Sequence, residues 1–287
     1  MMETTCCLST LRTKRKNKGA LLLLFCLFSL AFLLPFKSRA QTIGLRQHVD
    51  VAQPAAFSID RLSNIYLSDR KNNLYQFNGA GQLINTYSPP RTGRIGSIEA
   101  WNAMKVMLFY DDQQQITLLD RFMHNIATIR LRDITNGLIK VATTSADEKL
   151  WLFNESEFSL LKYDPRIAEV SSTTPLNLTI NRKQSDIQFI REYQNMVYLV
   201  DKSTGIYVFD NLGNYKKTIP FPGLSYVGFR DDEMYFLTGN ELHFFNLYNF
   251  KERVLEVPVA PNYKQALVGE SMIYLLSDSG LDLYVYE

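Results

Sequence analysis

Carboxylates are the side chains of this sequence with the widest chemical reach, and three of them stand where apolar segments end. Glu99, Glu192 and Glu270 end or follow such segments in separate parts of the chain. Brought to one opening, they would suit a metal ion held for hydrolysis, although no acid or base partner stands beside any of them. A second set, Asp69, Asp111, Asp112, Glu155, Asp201 and Asp278, falls in polar turns. A ring of such carboxylates would suit calcium, but Asp is common in turns because its side chain bonds the backbone just ahead. A third set, Asn78, Asp120, Asp164, Asp210 and Asn246, closes apolar segments, and the same turn chemistry is expected there. His48, His124 and His243 are scattered, as structural histidines are, and no Gly-x-Ser-x-Gly elbow is present. The sequence calls for no cofactor, with calcium the one cation its turns could take.

The connecting loops offer recognition chemistry instead. Ser88–Arg94 is basic and stiffened by two prolines, and Pro220–Tyr226 presents aromatic groups. Arg91, Arg94, Phe221 and Tyr226 are the candidate binding residues, because Arg and aromatic side chains dominate interface hot spots. For Phe221 and Tyr226 the alternative is packing between repeats.

These residues must be positioned by a repeat. An apolar tetrad, a polar turn and a second apolar stretch ending in Asp, Asn or Glu recur six times. Equivalent positions Ile65, Val106, Leu150, Val197, Met234 and Ile273 are 41, 44, 47, 37 and 39 residues apart. That is the length of a four-stranded propeller blade. The segments are rich in Val, Ile, Tyr and Phe, and several are apolar on both faces, as strands between stacked blades must be. First strands are expected at Ala55–Asp60, Ile98–Trp101, Lys140–Thr144, Ile187–Arg191, Tyr226–Arg230 and Ala266–Glu270. Fourth strands are expected at Leu83–Ser88, Ile126–Leu131, Ala168–Ser171, Lys216–Pro220 and Arg253–Val257. The sixth blade lacks a fourth strand, and the spare segment Ile43–Val51 can supply it, closing the ring and removing its open edges. The expected fold is therefore all-β, a six-bladed β-propeller of four-stranded antiparallel blades closed by its N-terminal strand.

The run from Ser63 to Leu83, with Asn64-Ile-Tyr-Leu-Ser-Asp69 and Leu74-Tyr-Gln-Phe-Asn78, resembles an NHL repeat, and Val197 to Asn214 resembles it more loosely. The other four repeats share the pattern only, and the second and third lack the usual turn glycines. The resemblance implies a six-bladed propeller of the TolB-like superfamily. It also implies a rival activity. Six-bladed lactonase-like enzymes hold a metal with Glu, Asn and Asp at the channel mouth, and Glu99, Glu192 and Glu270 are the residues that could do so here.

Residues 1–40 read differently. Arg12, Lys14, Arg15, Lys16 and Lys18 precede an apolar run from Ala20 to Phe36, and Ser38-Arg39-Ala40 follows. That is the order of a cleavable secretory signal, and the 17-residue run, interrupted by Pro35, is short for a membrane anchor. The expected domains are a signal at 1–40 and one propeller at 41–287. Removing that segment's seven basic residues and one acidic residue leaves 24 basic and 28 acidic residues, a net charge of −4. A mildly acidic body argues against nucleic acid as a partner. Cys6, Cys7 and Cys26 all lie in the same segment, so disulfides, thiolate zinc sites and thiol nucleophiles are excluded from the body. An exported chain without disulfides points to a bacterial periplasm or surface. The expectation is a non-enzymatic scaffold that binds a protein partner or a ligand in the cell envelope. A metal-dependent hydrolase, or a sugar- or peptide-binding module, stands as the alternative.

Overall fold

The computed structural model describes residues 43–89 and 93–286. They form six four-stranded antiparallel sheets arranged as a ring, a six-bladed β-propeller. Blades one to five span residues 54–87, 95–130, 139–175, 187–219 and 228–256. Each runs from an inner first strand to an outer fourth strand in chain order. The second and third strands carry the apolar tetrads. Ile65–Asp69, Leu150–Asn154 and Met272–Ser277 are buried along their whole length, because each lies between two neighbouring blades. The cores are accordingly layers between blades: Tyr66 and Leu74 of blade one pack with Val106 and Leu108 of blade two.

Blade six joins the two ends of the described chain. Its inner strands are Gln265–Val268, Met272–Ser277 and Gly280–Tyr286. Its outer strand is Ile43–Asp50, paired from Ile43↔Tyr286 to Asp50↔Gly280. Gly280 takes φ +143° where the third strand begins, and a Cβ there would lie 2.2 Å from the Val49 carbonyl oxygen. Gly205 solves the same problem at the same place in blade four, where the Ile219 oxygen is 2.4 Å away. Only glycine tolerates both the conformation and the approach.

Some strand limits differ from expectation. The first strand of blade two is Ile95–Glu99, ending before Trp101, because Asn102 turns the chain by accepting the Met104 N–H at 3.0 Å. The first strand of blade five is only Gly228–Arg230. Blade three's fourth strand, Glu169–Pro175, is longer than expected and starts after Ala168, which holds φ 55°. Register shifts recur near the start of the first strands of blades one to four, where bulges add to the twist.

Alternating strand directions give the ring two distinct faces. The turns after first and third strands share one face, here called lower. The turns after second strands and the connections between blades share the other, upper face.

Candidate functional site

Both mouths of the central channel are hollow. The lower cavity is about 600 Å³ and is walled by Arg61, Trp101, Lys105, Arg166, Arg191 and Tyr193 together with Glu99 and Glu192. The wall is built by the ends of the inner strands. Glu99 ends the first strand of blade two, and Arg191, Glu192 and Tyr193 end that of blade four. Neighbouring residues on a strand point to opposite sides, so Arg191 and Glu192 serve different partners. Arg191 Nε lies 2.6 Å from Glu99 Oε2, and both side chains are almost fully buried. Thr143 of blade three donates to the same carboxylate at 2.9 Å, and the Trp101 N–H donates to it at 3.1 Å. One carboxylate thereby ties three blades. Glu192 accepts from Ser145 Oγ at 2.5 Å, from the Ala146 N–H at 3.0 Å and from Trp151 Nε1 at 2.6 Å.

The rest of the wall is aromatic and cationic. Trp101 meets Tyr193 edge to face at 5.5 Å, and the Arg61 guanidinium lies over the Trp101 ring at 5.4 Å. Tyr193 stacks on Phe229 at 4.9 Å and donates to the Asp231 carbonyl at 2.8 Å. Burial pushes the Tyr193 hydroxyl up to about 12, so it stays protonated and serves as a donor. Lys105 and Glu148 form a looser pair at 3.8 Å.

The upper cavity is about 490 Å³ and is lined by Phe57, Phe189, Leu224, Tyr226 and Gln265. The Tyr226 and Phe189 rings lie 4.8 Å apart, and burial raises the Tyr226 pKa.

The three glutamates do not come together. Glu99 and Glu192 line the lower cavity, whereas Glu270 is exposed in the first turn of blade six, its N–H on Ser63 Oγ at 3.3 Å. Among the described residues, no three His, Cys, Asp or Glu side chains group as a metal site. The second carboxylate set is engaged locally. Asp69 accepts from Lys71 N, Asn73 N, Asn73 Nδ2 and Tyr75 Oη. Burial raises its pKa, but these bonds together outweigh burial and hold it below the usual value. Asp111 pairs with Arg94, and Asp112 accepts the Arg94 N–H at 2.9 Å. Asp201 accepts from Asp186 N and Ser203 N, Glu155 meets Lys140 at 3.2 Å, and Asp278 pairs with Lys264. The third set caps its turns as expected. Asn78, Asp120, Asp164, Asp210 and Asn246 each accept the N–H two residues ahead.

Of the loop candidates, Tyr226 lines the upper cavity and Arg94 is held on the upper rim by Asp111. Phe221 is half-buried against Phe236 at 4.8 Å and Phe245 at 5.3 Å, so it packs within the blades. Arg91 lies outside the described residues. The sequence reading missed Trp101, Arg191 and Tyr193 as wall residues. A charged Arg191 inside Ile187-Gln-Phe-Ile-Arg-Glu-Tyr193 was the available signal, since a buried charge demands a partner.

No protein-family model matches the sequence, and no curated protein matches it either. Solved structures do. Catalytically inactive virginiamycin B lyase from Staphylococcus aureus with quinupristin aligns with a TM-score of 0.63 at 11% identity, covering 86% of this chain and all of that one. The Cps50 (Swd1) β-propeller domain from Myceliophteria thermophila aligns at 0.61 and 10% identity, with the same coverage. The selenomethionine form of the lyase aligns at 0.56 and 13%, covering 86% of this chain and 89% of that one. At such identities the likeness shows the fold alone.

Proposed function

We propose that this protein is an exported propeller of NHL-like repeats that acts as a non-enzymatic scaffold in the bacterial cell envelope, binding a partner or small ligand at the lower mouth of its channel. One observation carries the reading. Glu99 and Glu192 at that mouth spend their oxygens on protein donors, so they brace the cavity wall rather than present free ligands. What remains open to a visitor is Arg61, Trp101 and the neighbouring polar turns. A preformed concave site with aromatic faces and few convergent polar groups is the usual form of a binding pocket. Its chemistry suits a sugar ring or the side chains of a peptide.

A lactonase-type hydrolase would need Glu99 and Glu192 to turn towards a shared metal. That would orphan the Arg191 guanidinium and Trp151 Nε1 in the core, at about 3–5 kcal/mol for the broken ion pair. Export rests on the charge and hydropathy order of residues 1–40 and on the cysteine-free body.

The test is affinity capture from envelope extract alongside a thermal-shift panel of sugars and peptides. A specific partner or a ligand-raised Tm, abolished by Trp101→Ala, supports the reading. Stoichiometric calcium or zinc in the purified protein, lost with Glu99→Gln, would replace it with the hydrolase.

A further inference from the structure

We infer that the outer turns of the lower face seat on a phospholipid bilayer carrying anionic headgroups, so that whatever the lower cavity binds is met at that membrane surface. The argument begins with one turn used many times. An Asx side chain at a strand end accepts the N–H two residues ahead, which puts that next-but-one residue at the turn's tip. On the lower face the tips are Leu62 on Asp60, Met104 on Asn102, Phe122 on Asp120, Leu212 on Asp210 and Tyr248 on Asn246, with bonds of 2.8–3.1 Å. Ala80 and Arg166 fill the same position in two more, and Arg166 is followed by exposed Ile167. On the upper face the same turn holds Lys71 on Asp69, Lys183 on Asn181 and Ser203 on Asp201. Turn geometry therefore does not require apolar tips, and the difference between the faces needs another cause.

Leu62, Met104, Phe122, Ile167, Leu212, Tyr248 and Phe250 are between 58% and 72% exposed. The upper connections also expose Leu138, Leu178 and Val259, but one to a connection, whereas the lower face gathers seven such side chains at its turns, and that concentration marks a contact. Two features point to a bilayer. Arg61, Lys105, Arg121, Arg166 and Lys251 stand next in sequence to tips, and no acidic residue does. Arg121 lies over the Phe122 ring at 4.6 Å and Lys217 over Phe250 at 4.4 Å, so apolar tip and cation descend together. Interfacial anchors pair apolar insertion with cations for anionic headgroups in this way. The N–H groups of Leu62, Met104, Phe122, Leu212 and Tyr248 are already bonded to Asx side chains and that of Phe250 to the Asn246 carbonyl, which lowers the cost of placing these turns in a poorly hydrated layer. Asp147, Glu148, Asp231, Asp232 and Glu270 lie in inner turns of blades three, five and six, while Glu169 and Glu252 begin the fourth strands of blades three and five behind the tips Ile167 and Phe250, which Arg166 and Lys251 flank directly; the contact therefore falls to the outer tips rather than the inner turns.

The experiment is vesicle flotation of the closed ring, Gln41–Glu287, which holds every strand described above. Phosphatidylcholine vesicles are compared with vesicles that also contain phosphatidylglycerol. The expected result is flotation with the anionic vesicles, weakened by salt, and reduced at least tenfold in a Phe122→Ser, Leu212→Ser, Tyr248→Ser variant that melts like the parent. The upper-face variant Leu178→Ser floats like the parent. Failure of the parent to float with either vesicle overturns the inference, as does flotation untouched by the triple variant. Equal loss on Leu178→Ser overturns it too. A protein captured through the same tips by a ring that floats with no vesicle would reassign the face to a protein partner.

Discussion

The two mouths of the channel are made by opposite ends of the same inner strands, yet they are stabilised by different physics. At the lower mouth, buried charges cross between blades: Glu99 with Arg191, and Glu192 with Trp151 and Ser145. At the upper mouth the blades meet through rings, Tyr226 on Phe189, while charged pairs such as Arg94 with Asp111 stay on the exposed rim. The difference teaches where rigidity lies. A buried ion pair adds little net stability over an apolar contact of equal size, but losing one partner is costly, so the lower mouth tolerates little variation. The upper mouth can vary ring by ring.

The largest expected effect tests the seam that closes the ring. A chain starting at Pro54 lacks the outer strand of blade six and leaves Leu283 and its neighbours with an open edge. Its Tm should fall by about 10 °C or more, because an edge and part of a core layer are lost. A truncated chain that melts like the parent would show that closure is not needed. Next, Arg191→Leu strands Glu99 in the core and should cost about 3–5 kcal/mol in chemical denaturation. Glu192→Ala orphans Trp151 Nε1 and Ser145 Oγ and should cost about 2–3 kcal/mol. The same measurement on Tyr226→Phe should give about 1 kcal/mol or less, and on Arg94→Ala about 0.5 kcal/mol or less. Upper-mouth losses as large as the lower ones would erase the distinction.

The smallest effect is a pH dependence in the upper half of the seam. His48 Nδ1 meets Asp282 Oδ1 at 2.5 Å, and Tyr263 Oη donates to the other Asp282 oxygen at 2.5 Å. The hydrogen bond to Asp282, chiefly, raises the His48 pKa above 6.5 against the opposing effect of burial. Protonated His48 is thus favoured in the folded ring. Its stabilisation is fully present below the unfolded pKa of about 6.5 and fades as pH rises through the higher folded value. The Tm difference between parent and His48→Gln should be greater at pH 6 than at pH 8.5. An equal difference at both would remove His48 from the latch.

The fold was legible because blade-stacked strands leave a plain pattern. Apolar tetrads at 37–47-residue spacing locate the second strands, and the unpaired segment near Ile43 predicts the seam. Limits slipped where side chains rather than hydropathy set them, as when Asn102 ended the strand before Trp101. The site was legible only in part. Glu99 and Glu192 were found because they end inner strands, but Glu270 has the same position in the pattern and an exposed place in the fold.

By itself the sequence determined the strand order, the blade length, the turns capped by Asn and Asp and the cysteine-free body, since each depends on residues close together in the chain. The tertiary structure decided which distant residues meet. Glu99 and Arg191 are 92 positions apart, and nothing local distinguishes a glutamate that will find an arginine from one that will face water. Ring closure sets that distance, and with it whether a strand-end carboxylate serves as ligand, brace or solvated turn.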